Sequence, residues 1–227
     1  MNFDPNTIRI LGIIKDSFFP LLIAGVKFTI PLAIGSFILG SVLAMATALA
    51  RISKYKSLVL ISSFYVWIIR GTPLLVQLFI IFYGLPAAGV TMGALTAATI
   101  GFTLNVGAYN SEVIRAAILS ISKGQWEAGA SIGMTHTQAL IRIILPQAAR
   151  VSVPPLSNSF ISLVKDTSLA AAITYTEMFQ IAQRITAATY EPLVLYCEVA
   201  FIYLLFCTIL STLQQRIEKK LEKFVAR

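Results

Sequence analysis

Apolar residues run along this chain in long, nearly unbroken stretches. Five of them, at 19–50, 58–85, 93–114, 155–174 and 193–213, reach the roughly 20 residues that an α-helix needs to cross a bilayer. The pattern predicts an all-α membrane protein with five spans in a single domain over residues 1–227. The first stretch is longer than a bilayer requires and holds Pro31, which predicts a kink or tilt, with Lys27 snorkelling to an interface or turned into the bundle. No basic cluster precedes the first apolar run, and Asp4, Pro5, Arg9 and Asp16 interrupt the region, so a cleaved signal peptide is not expected. The residues before position 19 read instead as a short amphipathic segment on the outer surface. No internal repeat of the inverted kind is visible.

Composition agrees. Of the 227 residues 57% are hydrophobic and 12% charged, and the mean hydropathy is +0.80. A soluble domain carries about 25% charged residues, so a water-facing surface is not available here. Two cysteines and no low-complexity tract exclude disulfide scaffolds and disordered chains. The formal charge of +8 reports orientation before it reports nucleic acid, which is not an expected partner. Twelve of the eighteen Lys and Arg residues fall on one side: Arg51, Lys54 and Lys56; Arg115, Lys123, Arg142 and Arg150; Arg216, Lys219, Lys220, Lys223 and Arg227. Cytoplasmic loops carry that excess, so the N-terminus is expected outside and the C-terminus in the cytosol.

The polar stretch 122–146 is too structured for a linker. Ser122 followed by Gln125 fits a capping box that starts a helix at Lys123, Gly133 offers a C′ stop, and Thr135 with Gln138 repeats the start signal. Two short helices joined at a glycine bend are predicted, the second ending near Pro146. On the first, Ala128, Gly129, Ala130 and Ser131 leave the backbone open to another protein surface, while Trp126 and Glu127 supply an anchor and a charge. The competing reading is an interfacial helix lying on lipid headgroups.

Glu127-Ala128-Gly129, then Gly133, then Ile143 and Leu145-Pro146 resembles the Glu-Ala-Ala…Gly…Ile-x-Leu-Pro loop of ABC importer membrane subunits at every spacing, with Gly129 in place of the usual second Ala. Further matches are Arg70-Gly71-Thr72-Pro73-Leu74 with Gln77, Ala108-Tyr109 with Glu112 and Arg115, Leu156-Ser157-Asn158-Ser159-Phe160, and Lys165-Asp166-Thr167-Ser168-Leu169. Together they are similar to the polar amino-acid uptake permeases, the histidine, glutamine, arginine and cystine group. The run 124–127 and the stretches 145–150 and 154–169 are most similar to cystine permeases. The resemblance implies a type I ABC importer permease fold in a bacterial cell membrane. It also implies that Trp126, Glu127, Ala128, Gly129 and Gly133 contact a separate ATP-binding subunit dimer. No Lys follows a Gly in this chain, so the phosphate-cradling loop is absent, and ATP with its magnesium belongs to that partner. This chain is then no enzyme and carries no cofactor. The other implied partners are a second permease copy, an extracytoplasmic solute-binding protein and the amino acid itself.

Polar groups inside spans are functional candidates by default. Arg70 shares a helical stripe with Leu74 and Gln77 and reads equally as a substrate contact or as a structural ion pair fixing the kink at Pro73. Asn158, Ser162, Lys165 and Asp166 line one helix face. Asp166 suits a substrate ammonium, with Thr167, Ser168, Asn158 or Arg70 for its carboxylate, against the alternatives of helix packing and simple solvation near the outer end. Asn105, Tyr109 and Glu112 share another face, read as packing plus a Glu112–Arg115 ion pair. His136 lacks neighbours at ligand spacing, so no metal site is expected. Cys197 and Cys207 read as small core residues, and no nucleophile motif occurs. The rival readings are a stand-alone ion-coupled amino-acid carrier, which leaves the loop without a role, and a membrane-embedded enzyme, which lacks a convergent catalytic set.

Overall fold

The computed structural model describes residues 4–222. Among them every regular element is helical. Lys223 and Arg227 of the basic C-terminal cluster lie outside the described residues. In chain order the α-helices are α1 Pro5–Ala24, α2 Ile30–Arg51, α3 Lys56–Gly71, α4 Leu74–Phe79, α5 Ala94–Ser120, α6 Lys123–Ser131, α7 His136–Ala139, α8 Leu145–Asp166, α9 Met178–Thr189 and α10 Pro192–Glu222.

Three wide π turns interrupt this order, at Gly25–Thr29, Ile80–Gly84 and Leu140–Ile144. Each ends two residues before a proline: Pro31, Pro86 and Pro146. A proline ring collides with the carbonyl four residues back and offers no N–H to it. Here the residue just before the proline donates one position further than in an α-helix: Ile30 to the Gly25 carbonyl, Leu85 to Ile80 and Leu145 to Leu140. The wider turn accommodates the ring without breaking the helix.

Several boundaries expected from sequence are overturned, the first two by that device. The first helical run is continuous from Pro5 to Arg51, 47 residues, so the separate surface segment before position 19 does not exist. The helix expected to stop near Pro146 passes through it into α8. The expected span at 58–85 is two helices, because Thr72, held extended (φ −124°, ψ 147°) by the proline that follows, ends α3. The stretch 155–174 leaves the α-helix at Asp166 and continues as a 3₁₀ turn over Thr167–Ile173. Among the described residues, Pro5–Arg51 and Pro192–Lys219 are long and apolar enough to cross a bilayer singly, and Lys56–Gly71 with Leu74–Ala88 would do so only as one broken span. Helices α5 and α8 have the length, 27 and 22 residues, but Asn105, Asn110, Glu112 and Arg115 dilute the first, and Arg150, Asn158, Lys165 and Asp166 the second.

The chain divides into two compact units. The first takes residues up to Ser36, Leu75–Gly101 and Ile161–Ser211. Its core joins Leu21 and Ala24 of α1, Met178 and Ala182 of α9, and Val199 and Ile202 of α10. Arg9 pins the start of α1 to the corner before α10 through Glu191 (3.0 Å) and the Thr189 carbonyl (2.8 Å).

Glu177, fully buried, caps α9: its Oε1 accepts the Gln180 N–H (2.7 Å), and Oε2 accepts the Tyr203 hydroxyl (3.2 Å) and, at 3.5 Å, that of Thr29. Burial pushes the carboxyl up to about 7, although those hydrogen bonds and the Phe179 N–H pull the other way. The folded chain therefore holds this proton to a higher pH than the unfolded chain does. Its contribution to stability is complete below about pH 4.5 and is lost as pH rises through about 7, a change on the order of 3 kcal/mol. Melting curves of the solubilised protein between pH 5 and 8 are expected to show Tm falling with pH, and Glu177→Gln is expected to flatten that part of the slope. An equally steep slope in the variant would assign the effect to other groups.

The second unit takes Phe37–Leu74, Phe102–Phe160 and the residues from Thr212 on. Ala44 and Ala48 of α2, Ile114, Ala117 and Ile118 of α5, Ile144 of the π turn and Ala148 of α8 form its core. The Tyr65 hydroxyl donates to the Leu104 carbonyl (2.6 Å). Helices α2 and α5 approach closely enough at Gly40 that an added Cβ would stand 2.6 Å from the Val106 Cβ. Much of the apolar surface stays exposed, Leu60 to 72% and Leu193 to 77%, as a lipid-covered protein requires.

Candidate functional site

The stretch 122–146 folds as a helical hairpin. Its first helix, α6, starts after Ser122, whose side chain makes no capping bond. The capping box expected there does not form, because Gln125 Oε1 accepts from Gln147 Nε2 of α8 (3.1 Å) rather than turning back. At the other end Gly133, at φ +79°, adopts the left-handed conformation that L side chains avoid. Its N–H donates to the Ala130 carbonyl (2.9 Å), and that of Met134 to Gly129 (3.0 Å), the paired bonds of a Schellman stop. The second capping box forms as expected: Thr135 Oγ1 accepts the Gln138 N–H, and Gln138 Oε1 accepts the Thr135 N–H.

The hairpin closes on Gly129. It is buried against the following limb, and a Cβ there would stand 3.2 Å from both the Ala139 Cβ and the Ile143 Cδ1. Trp126 stacks on His136, with ring centroids 4.5 Å apart and planes at 24°, and packs against the apolar core of this unit. Trp126 and Gly129 therefore brace the hairpin from inside. Glu127, Ala128, Ala130, Ser131 and Gly133 are exposed. So is Ile132, at 72%, a residue the sequence reading missed. Helical spacing from Trp126 and Gly129 puts position 132 only on the flank of the packed face, and the helix has ended there (φ −97°, ψ 15°), so the side chain swings out. The signal was present in the sequence as a large apolar residue immediately before the stop glycine.

The polar residues of the expected spans separate into those whose hydrogen bonding is satisfied locally and those open to a ligand. The break at Thr72 puts Arg70 at the end of α3 and buried Gln77 on α4, so helical spacing between them has no meaning. The exposed Arg70 guanidinium lies 5.2 Å above the Tyr109 ring, a cation–π geometry. Asn158, Ser162 and Asp166 keep their common stripe on α8 and are exposed, with Asn158 Oδ1 accepting from Gln214 Nε2 (3.0 Å). Thr167 and Ser168 donate to the carbonyls of Val164 (2.7 Å) and Lys165 (2.8 Å) within their own turn. Cys197 is exposed rather than a core residue. Glu112 pairs with Arg115 as expected (3.1 Å) and also with Arg51, which the sequence reading had not connected to it.

Comparison with known proteins gives this hairpin its context. The family model described as binding-protein-dependent transport system inner membrane component matches residues 39–223. The L-cystine transport system permease protein TcyB of Bacillus subtilis (strain 168) is 57% identical over 216 residues, covering 95% of this chain and 92% of that protein. The probable amino-acid ABC transporter permease protein YckA of the same organism is 41% identical over 207 residues, covering 91% and 92%. A solved structure titled crystal structure of an amino acid ABC transporter with histidines superposes with a TM-score of 0.87 at 34% identity, covering 97% of this chain and all of that one. The chain therefore belongs to the binding-protein-dependent transport system inner membrane components, as the membrane-embedded permease subunit of an ATP-binding cassette importer.

Proposed function

We propose that this permease imports L-cystine by ATP-driven alternating access. The observation that carries the substrate is the 57% identity to TcyB over nearly the whole of both chains. Five crossings, with the N-terminus outside and the C-terminus in the cytosol, follow from the basic clusters after α2, around the hairpin and at the end of α10. In this arrangement α5 and α8 turn their polar faces to a pathway and their apolar faces to neighbours or lipid. Five helices enclose little space alone, which favours two copies related by a two-fold axis.

The hairpin of α6 and α7 then lies on the cytosolic side and docks in a cleft of an ATP-binding partner. Glu127, Ala128, Ile132 and Gly133 supply the contact face, while Trp126 and Gly129 keep the hairpin rigid. Closure of the two ATPases displaces it as a lever, and the helices switch between discrete arrangements open to either side. A solute-binding protein delivers substrate from outside. Asp166 is the candidate for a substrate ammonium, with Ser162 beside it on α8 and Thr167 and Ser168 shaping the turn that presents it; Arg70, Gln77 and Asn158 are separate candidates for contact along the pathway.

The test is uptake of labelled cystine by cells lacking other cystine importers and expressing this chain with an ATP-binding subunit and a binding protein. Uptake is expected to require all three and to vanish when the ATPase is inactive. Uptake that follows an ion gradient with the ATPase disabled would replace this reading with a stand-alone carrier, and normal uptake of another amino acid but not cystine would replace the substrate.

A further inference from the structure

One face of α5 gathers the ends of two other helices. Tyr109 and Glu112, three residues apart on that face, receive Arg70 from the last turn of α3 and Arg51 from the last residue of α2. Arg115, on α5 itself, shares the Glu112 carboxylate. Arg115 and Arg70 both repel Arg51 electrostatically, so the half-buried Glu112 carboxylate that Arg51 and Arg115 share holds them against that repulsion. Remove that carboxylate and the cations push the helix ends apart.

Beside this cluster, Ala44 and Ala48 of α2 and Ile114, Ala117 and Ile118 of α5 join Ile144 and Ala148 in the apolar core against which Trp126, Leu140 and Ile143 of the hairpin are packed. That core is complete only while the ends of α2 and α5 stay together. Small apolar contacts are non-directional and allow those ends to slide, whereas an ion pair to a carboxylate fixes their register.

We infer that Glu112 is a positioning residue for energy coupling: it bolts the end of α2 to α5, so that movement of the hairpin is passed to both helices as one body. The inference rests on the coupling role proposed for the hairpin. It makes a distinction that general destabilisation would not. Arg51 and Arg115 make the same kind of contact with the same carboxylate, but the first bond joins two helices and the second stays within one. Only loss of the first should uncouple.

The experiment measures substrate moved per ATP hydrolysed, basal ATP hydrolysis and Tm for the assembled complex in proteoliposomes. Glu112→Gln and Arg51→Gln are expected to lower the transport-to-hydrolysis ratio about fivefold or more with assembly and basal hydrolysis retained. Glu112→Asp is expected to restore most of the ratio, and Arg115→Gln to leave it near the parent value. If Glu112→Gln fails to assemble, the comparison of Arg51→Gln with Arg115→Gln decides alone. Equal ratios in those two variants, or a normal ratio in Glu112→Gln while Glu127→Arg loses coupling, would overturn the inference and leave the docking role of the hairpin standing. A normal ratio in Glu127→Arg as well would remove that docking role too.

Discussion

Glu127→Arg is expected to abolish substrate-stimulated ATP hydrolysis in the reconstituted complex while leaving membrane insertion intact. The side chain is exposed on α6, on the turn that carries Ala128 and leads to Ile132, and it makes no ion pair among the described residues. No described residue pairs with its charge, so the substitution leaves the hairpin's own supports, the Trp126–His136 stack and the Gly133 stop, in place. Placing a like charge where a partner offers a complementary one costs about 2–5 kcal/mol at a desolvated contact, enough to undo docking at ordinary subunit concentrations. Full stimulation in the variant would show that the exposed face of α6 is not the contact. Retained thermal stability alongside lost stimulation would locate the defect at the interface rather than in the fold.

Gly40→Val is expected to have the largest structural effect. An added Cβ at position 40 meets the Cβ and Cγ1 of Val106 at 2.6 Å and the Thr103 carbonyl oxygen at 3.2 Å. A β-carbon cannot rotate away and a helix carbonyl cannot yield alone, so α2 and α5 must separate. Overpacking of a well-filled contact typically costs about 1–3 kcal/mol, and here the loss spreads to the neighbouring contacts of Ala44 and Ala48. Yield and Tm of the solubilised protein should fall sharply, with Gly40→Ala intermediate. A parent-like Tm for the valine variant would mean that the two helices are not in the close contact described.

The sequence was readable where both halves of a signal lie close together along it. Thr135 and Gln138 cap one turn, Gly133 stops the helix before it, and Glu112 meets Arg115 one turn away; each needs only local geometry, and each was found from spacing alone. What escaped was set by residues distant in sequence. The Ser122 capping box lost its glutamine to Gln147, 22 positions on. Arg51 reached Glu112 across two elements, and nothing in either local pattern announces it. Arg70 and Gln77 shared a stripe only on the assumption that Pro73 kinks a helix; the extended Thr72 ended it. The hydroxyls of Thr167 and Ser168 looked available to a ligand until the 3₁₀ turn supplied them with carbonyls. Gly129 read as part of an open small-residue face, yet the fold back at Gly133 brings Ala139 and Ile143 onto it.

The three π turns also change how residues can be counted. An α-helix advances about 100° per residue, and each widened turn slips one extra residue into the spiral, so positions downstream are rotated by about that angle from where an unbroken wheel would draw them. Thr135 and Arg150 lie on opposite sides of the Leu140–Ile144 turn, and a wheel drawn straight across that turn assigns one of them to the wrong azimuth. Any scheme for labelling or cross-linking these helices by face must restart its numbering after each of the three.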